Sequence, residues 1–153
     1  MRLTIATIGT RPREDAFQPV ANHYLERLAP YTPVETPNYR SEAAFTESVA
    51  ALRARTAPTL VLLDSRGKTL SSEELARWIE RRRDEGTQNL VFAIGPADGW
   101  SQGARSSLAP QPGNLLLSFG PMTLPHQLAR VVLIEQLYRA FTILANHPYH
   151  SGH

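Results

Sequence analysis

Two pairs of polar residues in the last third of the chain are spaced for joint chemistry. His126 and Arg130 are four positions apart, and Glu135 and Arg139 repeat that interval; on an α-helix such pairs share a face. Imidazole exchanges a proton near neutral pH, and guanidinium holds an anion. The first pair therefore suits a reacting base or a phosphate. The second, with its acid on the N-terminal side, is accounted for by a structural ion pair. Beyond them, His147, His150 and His153 recur around Pro148 and Tyr149. Metal ligation there is disfavoured, because Pro148 prevents a regular helix and no companion ligand cluster accompanies it. The chain has no cysteine, which excludes thiolate metal sites, disulfides and cysteine nucleophiles.

Three turns could offer bare backbone to a ligand. One runs from Leu62-Leu63-Asp64 into Ser65-Arg66-Gly67-Lys68, the second is Ile94-Gly95-Pro96-Ala97-Asp98-Gly99, and the third extends from Ser118-Phe119-Gly120-Pro121 to His126. Glycine and proline there are explained by turn formation alone, or by close approach of a flat adenine and a ribose. No dinucleotide fingerprint or Walker loop is present, so a pyrophosphate ligand is disfavoured. Asp64 is placed to hold a ribose hydroxyl or to cap its own turn.

These turns need a scaffold, and the hydrophobic pattern supplies one. Strands are expected at Arg2–Ile8, weakly at Val34–Thr36, then at Thr59–Asp64, Asn89–Ile94 and Asn114–Ser118, the middle ones apolar throughout as if buried on both faces. Helices are expected over Asp15–Leu28, Ser41–Arg55, from Ser71 to Glu85, from Ser101 to about Ala109, and from Leu124-Pro125 to about Ala145. Ser71 and Glu74 have capping-box spacing. Arg81, Arg82 and Arg83 close the same helix, where they complement its dipole. The alternation predicts an α/β fold, an open and mostly parallel sheet with helices on both faces, in a single domain over 1–153. The last helix is apolar nearly all round and needs cover from its own chain or a partner.

Composition sets the outer limits. The formal net charge is +2, far from a general nucleic-acid coat protein, and Lys68 is the sole lysine among 16 basic residues. Arginine suits bidentate phosphate contacts but does not by itself argue for RNA. No segment is long and apolar enough to cross a bilayer, and Leu3–Ile8 alternates unlike a secretory signal, so a cytoplasmic protein is expected.

The stretches Met122-Thr123-Leu124-Pro125-His126-Gln127, Arg130 to Ala140 (RVVLIEQLYRA) and His147-Pro148-Tyr149-His150 jointly resemble the ribosomal large-subunit methyltransferase H family of the SPOUT (knotted α/β) methyltransferases. The resemblance runs from the opening strand to the tail. It implies S-adenosylmethionine as methyl donor, N3 of a pseudouridine in 23S ribosomal RNA or the assembled ribosome as acceptor, a homodimer, and a C-terminal trefoil knot. It also implies that Leu63, Gly95, Phe119, Gly120, Pro121, Met122, Thr123 and Leu124 hold the donor. His126, Arg130, Arg139, Tyr149 and His150 would then face the RNA and the transferred methyl. Two departures stand out: Pro96 replaces a usual second glycine, removing a backbone donor, and Ser151 replaces a usual basic residue.

Methyl transfer from a sulfonium needs no metal and no covalent enzyme intermediate. It needs alignment, worth on the order of 7–11 kcal/mol, and a deprotonated imide nitrogen, for which His126 or His150 is a candidate base. Arg130 and Arg139 suit the developing ring anion or a phosphate. The alternatives are a SPOUT methyltransferase of another RNA and a catalytically inactive domain that binds RNA or a nucleotide.

Overall fold

In the computed structural model, residues 1–108 and 111–151 are described; the expected helix end at Ala109 and the last tail residues, Gly152 and His153, lie outside the described residues. The apolar runs form the strands β1 (Arg2–Ile8), β2 (Val34–Glu35), β3 (Asn38–Tyr39), β4 (Thr59–Thr69), β5 (Asn89–Ile94) and β6 (Leu115–Ser118). They make one sheet in the order β2-β1-β5-β4-β6, with β3 also on β1, and every pairing is parallel.

Side chains alternate across a strand, and β5 shows what that builds. Leu90, Phe92 and Ile94 enter one core with helices α1 (Gln18–Leu28), α3 (Ser72–Asp84) and α5 (His126–Leu144), whereas Val91 and Ala93 enter a second core with α2 (Glu42–Arg53) and α4 (Gln102–Leu108). The sheet is thus covered on both faces, as the unbroken apolar strands imply. Helix α5 lies between α1 and α3. Its Leu133, Ile134, Leu137, Ala140 and Phe141 are buried, so its cover comes largely from its own chain.

The expected local signals hold at α2 and α3. The Ser41 hydroxyl caps α2, and Ser71 and Glu74 make both bonds of a capping box. Elsewhere the structure differs. Helix α1 begins at Gln18, because the Asp15 carboxylate and carbonyl accept the Phe17 and Gln18 amides and hold 15–17 as a turn. Strand β3 was not anticipated; Asn38 is secured by its amide, which donates to the Thr7 hydroxyl at 3.0 Å. Pro125 caps α5 from outside instead of occupying its first turn.

The main correction concerns Ser65–Leu70, expected as a loop. Strand β4 runs on to Thr69: Leu63 and Lys68 both pair with Leu117, so the residues between them bulge out before the chain rejoins β6. Gly67 permits this. A Cβ there would lie 2.6 Å from the Leu116 carbonyl carbon and 2.7 Å from the Leu117 nitrogen.

Candidate functional site

Strands β4, β5 and β6 are neighbours, so the turns at their carboxyl ends converge, the place where open parallel sheets bind ligands. Between them lies a cavity of about 610 Å³. Its lining includes Leu63, Gly95, Phe119, Gly120, Met122, Thr123, Leu124 and His126. Seven of the eight residues expected at the donor thus share one pocket, with His126 beside them. Pro121 lies in the same turn but does not line the cavity.

The turns are bound to one another. The Trp100 indole N–H donates to the Leu63 carbonyl at 3.0 Å, joining the first turn to the second. His126 Nε2 lies 2.8 Å from the Gly95 carbonyl, joining the second turn to α5. A carbonyl only accepts, so His126 Nε2 carries the hydrogen and Nδ1 is the acceptor in the neutral ring. Any base function of His126 therefore belongs to Nδ1. Gly95 has a packing reason to be glycine, since a Cβ would sit 2.8 Å from the indole. Gly120 has a conformational one, with φ of +108° and the Ser118 hydroxyl bridging its N–H and C=O. Pro96, despite its missing N–H, keeps the second turn by accepting from Gly99 at 2.8 Å.

Asp64 caps its own turn. Its carboxylate accepts from the Arg66 amide at 2.8 Å and from the Arg66 side chain at 2.9 and 3.0 Å, and Arg105 approaches it at 4.0 Å. The Arg66 hydrogen bonds outweigh burial and hold the Asp64 carboxyl below the ordinary carboxylate range. Asp64 and Asp98 line the cavity and no lysine or arginine does. That electrostatic character suits a cationic ligand over a phosphate.

Arg130 lies one helical turn from His126, buried on the far side of it. It borders a second, small cavity of about 20 Å³ beyond β1, which His126 also lines. The remaining expected residues are elsewhere. Arg139 lies about 13 Å along α5 and roughly opposite Arg130 around its axis. There it pairs with Glu135, its Nε donating at 3.0 Å, and its guanidinium stands 5.1 Å from the Tyr149 ring centroid. The Tyr149 hydroxyl donates to Glu135 at 3.0 Å, and its ring packs on Tyr138. Burial, with the Tyr24 and Glu135 hydrogen bonds, pushes the Tyr149 phenol well above its ordinary range. His150, in the 3-10 turn Pro148–His150, has a buried Nδ1 with no hydrogen-bond partner among the described residues. One chain therefore brings His126 and Arg130 together and keeps Arg139, Tyr149 and His150 on another face.

Sequence reasoning missed Trp100 and, although it placed Gly67 in a turn, the role of that glycine. Both act through contacts with residues distant in the chain, and neither carries a local signal beyond its type. Among the described residues, no group of three His, Asp or Glu is arranged to hold a metal, and no helix is long and apolar enough to cross a membrane.

The chain is similar over its length to known proteins of one family. The family described as predicted SPOUT methyltransferase matches residues 1–150. A protein of Koribacter versatilis named ribosomal RNA large subunit methyltransferase H is 48% identical over 153 residues, all of both chains. Its namesake from Maricaulis maris is 45% identical, covering 98% of this chain and 99% of its own. Among solved structures, a probable methylase family protein from Haemophilus influenzae superposes with a TM-score of 0.50 at 11% identity. The match covers 96% of this chain and 69% of that one, and is a likeness of fold.

Proposed function

Because this chain belongs to the SPOUT methyltransferase family, we propose that it transfers a methyl group from S-adenosylmethionine to N3 of a pseudouridine in 23S ribosomal RNA. The observation that carries the reading is the convergence of three strand-end turns on one cavity of about 610 Å³. Its size lies within the range of small-molecule sites, roughly 300–1,000 Å³. The residues present fit the donor. Ile94, Leu117 and Leu124 offer apolar walls for an adenine, and Asp64 and Asp98 suit positive charge. The Leu63 and Gly95 carbonyls, although engaged within the chain, each keep a second lone pair.

When bound, S-adenosylmethionine supplies a methyl made electrophilic by its sulfonium. The chain supplies alignment. Leu63, Gly95 and the turn Phe119, Gly120, Pro121, Met122, Thr123 and Leu124 fix where the donor lies. His126, held by Gly95 through Nε2, keeps Nδ1 as the ring atom that can accept the imide proton of an incoming base. Arg130, behind His126, offers positive charge to the substrate strand.

The reading includes a homodimer. Arg139, Tyr149 and His150 do not line the cavity of their own chain, and His150 Nδ1 is buried with no hydrogen-bond partner among the described residues. They can join the reaction only if a second copy presents them to its neighbour's site. The trefoil knot belongs to the same reading. A ribosomal substrate places the protein in the cytoplasm.

Mass spectrometry of 23S RNA from cells lacking the gene tests the assignment: the methylated pseudouridine should disappear and return on complementation. A methylation pattern unaltered by the deletion would discard it. Arg130→Ala should lower kcat/KM for RNA by at least about tenfold, with donor affinity, read by calorimetry, unchanged. Wild-type turnover in that variant would remove Arg130 from the mechanism.

A further inference from the structure

The small cavity beyond β1 combines features that an internal packing role does not explain. Arg130 is 7% exposed, yet it forms no ion pair among the described residues. Its Nη1 donates to Gln18 at 3.3 Å, and its Nε is buried with no partner. A guanidinium withdrawn from water without a carboxylate is costly unless something else compensates it.

Arg11 makes the deficit worse, and Asp15 relieves it only in part. Arg11, from the segment after β1, lines the same cavity, and its guanidinium makes only a long hydrogen bond among the described residues, to the Thr36 carbonyl at 3.4 Å. Its charge and burial together lower the proton affinity of Arg130, and Asp15 opposes them only in part. The Asp15 carboxylate accepts from the Phe17 amide instead. Asp15 lines the cavity as well, beside polar groups that include Gln18 and Asn38. Two arginines, one of them buried, against a single carboxylate leave the cleft with positive charge to spare, which suits a further anion.

Size narrows the choice. About 20 Å³ admits an oxygen or two of an oxyanion, not a base or a sugar. Position narrows it further, because His126 lines this cavity and the large one alike. A nucleotide presented to the methyl in the large cavity would carry its backbone past the small one. Resting on the proposed function, we propose that Arg11 and Arg130 form a phosphate anchor that grips a backbone phosphate of the substrate RNA beside the nucleotide being methylated.

Arg11 is exposed, so Arg11→Ala should fold normally. Arg55, exposed and beside the amino end of β4, gives a control with the same change of charge. Binding of undermethylated ribosomes, measured without transfer, should weaken about tenfold in Arg11→Ala, and the slope of log affinity against log salt should shrink by about 0.7–0.9, the share of one phosphate. Arg55→Ala should change neither, and donor affinity should be unchanged in both. Inorganic phosphate should compete with RNA for the wild type and lose that effect in Arg11→Ala. Unchanged RNA affinity and salt slope in Arg11→Ala would overturn the anchor, even if free phosphate proved to bind. Equal losses in the two variants would overturn it as well, leaving only overall charge. Because binding is read without transfer, wild-type protein that binds ribosomes but does not methylate them counts against the proposed function alone.

Discussion

Replacing Gly95 by alanine should disturb two of the three turns around the large cavity. The new Cβ would lie 2.8 Å from Cε2 and Nε1 of Trp100 and 3.0 Å from Cδ1. Ordinary carbon contacts begin near 3.5 Å, so the indole must retreat by roughly 0.7 Å. Trp100 is 3% exposed and has little room to do so. Overpacking of this kind costs about 1–3 kcal/mol. The indole N–H, now 3.0 Å from the Leu63 carbonyl, would be drawn off its acceptor, and a buried donor left unsatisfied costs about 1–3 kcal/mol more. Gly95→Ala should therefore lose about 2–6 kcal/mol of stability in urea denaturation. In a Trp100→Leu background the clash is gone, and the same substitution should cost at least about 1 kcal/mol less. Equal costs in the two backgrounds would refute the contact argument. Calorimetry of donor binding to the double variant then reads the other role: weakened affinity there means the glycine also admits the ligand.

Two further outcomes are expected. Ser71→Ala removes one half of the capping box on α3 and should destabilise the protein by about 1 kcal/mol; an unchanged denaturation midpoint would mean that the cap is redundant. The Asp64 carboxyl is held below its ordinary value by the Arg66 hydrogen bonds, so its contribution is complete above about pH 4 and is lost as pH falls through the lowered value. The melting temperature should thus drop more steeply below pH 4 in the wild type than in Asp64→Asn, and parallel curves would contradict the assignment.

The sheet was legible because its strands are apolar on both faces, a pattern only a covered parallel sheet explains. Ser71 and Glu74 were legible because a capping box is local in sequence. The turns at Gly95 and Gly120 could be seen as turns, and the family resemblance placed the donor there. What stayed hidden depends on distant partners. Gly67 looked like a loop glycine, yet its role is to let the β4 bulge lie against the backbone of β6. Glu135 and Arg139 read correctly as an ion pair, while the Tyr149 hydroxyl that joins them comes from beyond the helix. Arg11 carried no signal at all. Its meaning depends on Arg130, which reaches the same cleft from far along the chain.

An all-parallel sheet also dictates how this protein comes into being. Leu3 pairs with Val34 and Thr7 with Asn38, and even these partners are 31 residues apart; Leu3 meets Leu90 only across most of the chain. With no hairpin to nucleate the sheet, folding must close long loops before any ladder rewards it, which places this domain among slow folders. Strand β6 and helix α5 leave the ribosome after β1, β4 and β5, and they supply one wall of each cavity. During synthesis the nascent chain thus carries unpaired strand edges until β6 and α5 emerge, and the site it is destined to use cannot form before them.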